Sequence, residues 1–298
     1  MGDAFGVEAK SCTLETHMES AALGGGFGPE RWLDSTPRTM AEENQTPSWL
    51  LALGKESPPA QIEVRGQEYR LEKIFKHDFF AYTARYGGAS GRVVLKIGRK
   101  ASVFGLPLFW IGWLHSWHES AVFSDLEDID AVPEFMGRFG RYGLVHDYIY
   151  GHELARGERV PDDFFERLKA GLEEVHRRGM AYVDLEKPEN VLVGVDGSPY
   201  LFDFQISYRW PFKRGQTLPP FRWILASLQA SDLYHLSKLQ RRCRPDTMTK
   251  KERKASKLRP GHLRFWGRIT RPITHLRRRF LNRIDPVKLH GGERGRQK

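Results

Sequence analysis

The sequence predicts an α+β protein with a sheet-rich first lobe and a helical second lobe. From Gln61 onward, short runs alternate apolar and polar residues and are punctuated by glycines, the pattern of half-buried strands. After about residue 150, apolar positions recur every three or four residues, the period of helices that bury one face. Within the second half, residues 175–207 hold two short apolar runs, VLV and YLF, around an Asp196-Gly197 hairpin turn. That hairpin places Asn190 before one strand and Asp203 after the other, with Asp184 just upstream. Oxygen-bearing side chains gathered at one end of a rigid scaffold suit a hard cation and phosphate.

The 298 residues are 40% hydrophobic, enough to bury a sizeable core in one or two domains. Cys12 and Cys243 are far apart and lack metal-ligand spacing, so a disulfide framework or zinc site is not expected and a reducing compartment is. The N-terminus lacks the basic-then-apolar pattern of a secretory signal. The longest apolar-looking run, Val103 to Leu114, is about twelve residues against the roughly twenty a membrane span needs. The expected location is therefore the cytoplasm. Charge is divided unevenly. Residues 211–298 hold 24 basic and 5 acidic residues, a net of +19, which leaves 23 basic and 32 acidic residues, a net of −9, in the first 210.

Residues 1–60 contain GGGFG and no sustained apolar period, the composition of a mostly disordered leader. Trp32, Trp49 and Leu50 to Leu53 either dock locally or are incidental to that tail. IEVRGQEYRLEKIF, DFFAYTARY and RVVLKIGR then read as a three-stranded antiparallel meander. In the third strand Val93, Leu95 and Ile97 share one face and Lys96 takes the other. Such a lysine either snorkels at a sheet edge or enters a cleft to hold phosphate. Residues 113–126 read as a helix ending before Pro133, with Glu119 among apolar neighbours. The aromatic cluster at 109–117 reads first as core packing and second as a lipid-facing surface. YGLVHDYIY (142–150) is a further strand broken by Gly151. A helix from Asp162 carries Phe165, Leu168, Leu172 and Val175 and stops at Gly179.

After Ser207, RWPFKRGQTLPPF reads as a loop and residues 221–240 as a helix. In 263–284, Leu263, Trp266, Ile269, Ile273, Leu276, Phe280 and Ile284 form one stripe ringed by arginines and interrupted by Pro272. This basic amphipathic segment either packs its stripe on the body, lies on an anionic membrane, or binds nucleic acid, in that order of expectation. The expected organisation is a leader over 1–60, a sheet lobe with a hinge over 61–150, a helical lobe over 151–260 and the basic segment over 261–298.

Taken in order, VVLKI with Lys96, Glu119, VDLEKPEN with Asp184 and Asn190, FDFQ with Asp203, and SDLYHL with Asp232 resemble the motifs of the protein-kinase-like superfamily over about residues 62–240. The resemblance implies a bilobal fold with an antiparallel-sheet N-lobe and a mainly helical C-lobe, and an ATP- and Mg²⁺-dependent kinase. On it, Lys96 would hold ATP phosphates and Glu119 would hold Lys96. Asn190 and Asp203 would bind Mg²⁺, and Asp184 would accept or orient the proton of the attacking hydroxyl. Asp147 and Tyr148 would form the hinge that meets adenine, and Asp232 would tie the catalytic loop.

Four features depart from the family pattern. No glycine-rich loop precedes Lys96 and the first strand turn is KHDFFA (76–81), so other backbone donors or the Asp78–Phe80 turn must cover phosphate. Tyr182-Val183-Asp184 lacks the arginine that answers activation-loop phosphorylation. Asn190 follows Asp184 by six residues, which puts Glu189 at the usual spacing of five; Asn190 is preferred because it directly precedes the VLV strand. Gln205 replaces a glycine, and no APE follows. In style the chain is similar to bacterial lipopolysaccharide core-sugar kinases, which implies a sugar or glycolipid acceptor at the inner membrane face. The alternatives are a divergent Ser/Thr protein kinase acting on protein and a pseudokinase binding module. Nucleic acid is not the expected partner.

Overall fold

A computed structural model describes residues 47–102, 107–210 and 218–258. The first lobe is a six-stranded, wholly antiparallel sheet of β1 (Gln61–Val64), β2 (Gln67–His77), β3 (Ala81–Gly88), β4 (Gly91–Gly98), β5 (Phe135–Phe139) and β6 (Gly143–Asp147). Their order across the sheet is β1-β2-β3-β4-β6-β5. The expected three-stranded meander is thus four strands, because Arg65 and Gly66, both at positive φ (50° and 74°), fold IEVRGQEYRLEKIF into a two-residue hairpin. β5 was not expected from sequence. Its short run is interrupted by Gly137 at φ 133° and a register shift, so it shows no clean alternation.

On β4 the expected alternation holds. Val93, Leu95 and Ile97 are buried in one cluster with Ile62, Tyr82, Tyr86 and Val145, and Lys96 faces away from it. The sheet's other face takes helix α1 (Phe109–Asp125) at very close range. A Cβ on Gly112 would lie 2.0 Å from the carbonyl oxygen of Arg99, and one on Gly98 would lie 2.6 Å from that of Gly112. Two glycines therefore set how near α1 comes to β4.

Two sequence expectations are corrected here. The segment 47–60 belongs to the body and not to a disordered leader. Leu50 to Leu53 are buried, Arg99 donates to the carbonyls of Trp49 and Phe79, and the Ala52 carbonyl accepts from Lys100 and Ala101 N–H groups. Trp32 and the rest of the expected leader lie outside the described residues. Second, the aromatic cluster at 109–117 is not core. Phe109, Trp110, Trp113, Leu114 and Trp117 are exposed, while Gly112, Ser116, Glu119, Ser120, Val122 and Phe123 form the buried side of α1. Both sides of the helix carry apolar residues, so periodicity alone does not say which one is covered.

The second lobe contains α2 (Phe164–Arg177), α3 (Pro219–Cys243) and α4 (Lys250–Ala255), with short strands between them. α2 buries Phe164, Phe165, Leu168, Leu172 and Val175 and ends before Gly179 at φ 73°. β7 (Gly151–Glu153), β9 (Val191–Gly194) and β10 (Pro199–Leu201) form one small sheet, and β8 (Met180–Ala181) pairs with β11 (Tyr208–Arg209). The expected hairpin is β9 and β10, with Val191 opposite Leu201 and Gly197 at φ 77° in its turn. The loop at 211–217 and the basic segment 261–298 lie outside the described residues.

Candidate functional site

The segment that carries Asp184 is fixed from below by Asp232, a fully buried carboxylate on α3. Its two oxygens accept the backbone N–H groups of Tyr182 and Val183, both at 2.8 Å, and Oδ2 also meets His176 Nε2 at 3.0 Å. Val183 stands at φ 73°, a conformation a β-branched residue adopts only when its surroundings impose it. The hydroxyl of buried Tyr182 bonds the carbonyls of Asn190 and Phe202. One side chain therefore ties together the approaches to Asp184, Asn190 and Asp203. Its ring packs edge-on against Phe204, and Phe204 packs edge-on against Phe123 of α1.

Lys96 joins the lobes. Its ammonium lies 2.8 Å from Glu119 Oε1 and 2.7 Å from Asp203 Oδ1. Burial opposes the Lys96 charge, yet the two carboxylates hold it above the usual lysine range. Burial likewise works to raise Asp203, but Lys96, with the more distant charges of Lys76 and Lys187, holds it below the usual carboxylate range. Glu119 is pushed above the usual carboxylate range by burial and by Asp203, with Lys96 the largest influence acting against that rise. The Lys96–Glu119 pair is the one that the resemblance to the protein-kinase-like superfamily implies.

Asp184 Oδ2 accepts Lys187 Nζ at 2.5 Å and Asn190 Nδ2 at 2.9 Å. Asn190 is buried and sits at the end of a 3₁₀ turn, Pro188–Asn190, while Glu189 in the same turn is exposed. Both recorded bonds of the Asn190 side chain run from Nδ2 to Asp184, which leaves Oδ1 as the end free to meet a cation. Asp203, at φ 60° and ψ 64°, offers a second oxygen donor. Among the described residues, no group of three or more His, Cys, Asp or Glu could hold a metal. A short, oxygen-only donor set fits Mg²⁺, which keeps waters and phosphate oxygens in its octahedron, and does not fit zinc.

The turn between β2 and β3 works differently from what was expected. The Asp78 carboxylate accepts the N–H groups of Phe80 and Ala81, and Asp78 N–H bonds the Ala81 carbonyl. These donors are committed within the turn and are not available to phosphate. What the turn offers instead is charge, through Lys76, whose ammonium is 3.0 Å from Asp78 Oδ2. The segment expected to serve as a hinge has two of its donors in use: Asp147 N–H donates to the Glu134 carbonyl and Tyr148 N–H to that of Arg92.

Sequence reasoning missed Lys187, the Tyr182 hydroxyl bridge and the role of Gln205. Gln205 Nε2 lies 2.8 Å from His115 Nδ1 on α1, and His118 Nε2 lies 2.9 Å from the Ser207 carbonyl. Together with Lys96 and Glu119, these contacts tie the 203–207 turn to α1. Lys187 could have been found, since a cation three residues after Asp184 on a short loop must return near it. A contact spanning ninety residues, such as that of Gln205, leaves no local signal.

No family profile matches the chain. Over 72 residues it is 39% identical to the serine/threonine-protein kinase sck2 of Schizosaccharomyces pombe, a match that covers 22% of this chain and 11% of that protein. The chain thus spans about a tenth of the curated relative it matches. Among solved structures it is similar to the Rio2 kinase-ADP/Mg²⁺-phosphoaspartate complex from Chaetomium thermophilum, with a TM-score of 0.45, 16% identity, and coverage of 62% of this chain and 60% of that one. For the Rio2 kinase from the same organism the TM-score is 0.44 at 16% identity, with 63% of each chain covered.

Proposed function

We propose that the protein is a phosphotransferase that moves the γ-phosphoryl group of ATP, in the presence of Mg²⁺, to a hydroxyl acceptor. What carries the reading is the convergence of one buried cation, Lys96, on Glu119 and Asp203, combined with Asp184 and Asn190 bonded to each other on a loop held by Asp232. A phosphoryl group in transfer spreads negative charge over its oxygens, so positioning and cations do most of the work. Lys96 holds the α- and β-phosphates, and Lys76 and Lys187 add positive charge near the transferring group. Asn190 and Asp203 would hold Mg²⁺, which would supply positive charge to the phosphates. Asp184 takes the hydroxyl proton as the acceptor oxygen bonds to phosphorus and the bond from phosphorus to the β-phosphate oxygen breaks.

The acceptor we propose first is a sugar hydroxyl of a lipopolysaccharide or other glycolipid. Val183 stands where an arginine would answer activation-loop phosphorylation, and the basic end with the exposed aromatic face of α1 suits an anionic, lipid-anchored substrate. A protein hydroxyl is the second reading, favoured by the 72-residue likeness to a serine/threonine-protein kinase. Radiolabelled ATP offered side by side with a lipid extract and a protein extract separates them. Label in lipid that falls at least about a hundredfold in Asp184→Ala and Asp203→Ala supports the first reading. Label only in protein moves the conclusion to the second. Nucleotide binding with no transfer in Mg²⁺ or Mn²⁺ defeats both and leaves a binding module.

A further inference from the structure

Helix α1 has two jobs that its two faces keep apart. At about 100° per residue, Phe109, Trp110, Trp113, Leu114 and Trp117 fall within an arc of about 140°, and Glu119 points to the opposite side. Those five side chains are 45%, 53%, 37%, 43% and 40% exposed. With aromatic side chains of roughly 150–250 Å² each, they present on the order of 400–500 Å² of contiguous apolar surface. That is comparable to the largest apolar patch of a typical monomer, which is itself usually functional.

The character of the surface selects its occupant. Three of the five side chains are tryptophans, the residue enriched where protein meets the membrane interface. The first ten residues of α1, FWIGWLHSWH, contain no acid, and the first carboxylate of the helix, Glu119, is buried against Lys96. At the rim, the exposed Arg141 guanidinium lies 5.8 Å from the ring centre of Trp113, and exposed Arg138, on β5, donates to the Arg141 carbonyl. An uncharged aromatic face with a cationic rim repels no anionic headgroup. The net charge of +19 over residues 211–298 attracts such headgroups from a distance. Among the described residues no helix is long and apolar enough to cross a membrane.

We propose that the outer face of α1 is a membrane-docking surface that inserts its tryptophans into the interface of an anionic bilayer. The face supplies insertion and the basic segment 211–298 supplies attraction, two signals that together give stable anchoring where either alone is weak. Because Glu119 is on the same rigid helix, docking sets the candidate site at a fixed height over the bilayer. The inference stands on the surface alone and does not depend on phosphotransfer.

The test uses the full chain, phosphatidylglycerol-containing vesicles and pure phosphatidylcholine vesicles in co-sedimentation. The protein is expected to sediment with the anionic vesicles and to keep part of its binding at high salt, since insertion is not screened. The triple variant Trp110→Ser, Trp113→Ser, Trp117→Ser is expected to lose at least about tenfold in affinity with an unchanged melting temperature. Trp110→Glu alone, at the most exposed position, gives a second variant that removes the salt-resistant part should the triple variant fold poorly. The proposal is overturned by an absence of vesicle binding, by binding that salt abolishes entirely, or by variants that bind like the wild type. It is equally overturned if the substitutions change the oligomeric state, because the face is then covered by a second copy of the chain.

Discussion

Replacing Asp232 with alanine should damage both stability and the candidate site. The carboxylate is fully buried and accepts two backbone N–H groups at 2.8 Å, so its loss strands both donors in the core. Each stranded donor costs about 1–3 kcal/mol, which makes a loss of about 2–6 kcal/mol. For a folded region of this size that corresponds to roughly 5–20 °C in melting temperature. The same bonds hold Val183 at φ 73°, which costs about 1–2 kcal/mol relative to the right-handed region. Once they are gone Val183 relaxes, Asp184 turns with it, and phosphate transfer should fall by about a hundredfold even well below the melting temperature. Asp232→Asn keeps one acceptor oxygen and should lose about half as much stability. Thermal unfolding followed by circular dichroism and transfer assayed at low temperature measure the two effects separately. An Asp232→Ala protein that melts with the wild type and transfers at its rate would show that the tie does not position the loop.

Lys96→Met removes the cation between Glu119 and Asp203 and leaves buried Glu119 uncompensated, which should abolish transfer and cost about 3–5 kcal/mol at neutral pH. Without Lys96 the Glu119 carboxyl is pushed further above its unfolded pKa, so the variant's melting temperature should rise on acidification from neutral pH more steeply than the wild type's. Burial pushes His146 down to about 4, below its ordinary 6.5, so the unfolded state binds the proton more readily. Stability should therefore fall by up to about 3 kcal/mol as pH drops from 6.5 toward 4, and His146→Gln should flatten that part of a stability–pH profile. Gly112→Ala puts a methyl 2.0 Å from the Arg99 carbonyl oxygen and should push α1 off β4, costing about 1–3 kcal/mol and weakening transfer through a displaced Glu119; an unchanged crystal position of α1 in that variant would count against the close-packing argument.

Local patterns carried the parts of this fold that depend on local physics. Alternation on β4 fixed the face of Lys96, and Asp196-Gly197 fixed the hairpin that separates Asn190 from Asp203. Where a second piece of chain decides the outcome, the sequence was silent. Leu50 to Leu53 look like a tail until Arg99 and the 98–101 backbone are seen to receive them. The aromatic run of α1 looks like core because its opposite side, with Ser116 and Ser120, looks like surface; buried serines there bond within the helix or lie against the sheet lobe. The glycine-poor turn at 76–81 could not be read either, since only the folded Asp78 shows that its carboxylate takes the Phe80 and Ala81 N–H groups.

The extra residue between Asp184 and Asn190 is absorbed without disturbing the groups that matter. Leu185 is fully buried and pins the start of the loop, so the added length arches outward through Glu186 and Lys187, both exposed. Glu186 is held on that outer side by Lys238 at 3.0 Å, whereas the Lys187 ammonium returns to Asp184. The buried Pro188 then turns the chain inward and Asn190 closes the arch on Asp184 from within. Counting residues favours Glu189, but the arch leaves its side chain in solvent while Asn190 is buried. On the proposed reading of a Mg²⁺ site, burial is the ground for preferring Asn190, because a loop one residue longer can keep its ends only by letting its middle bulge.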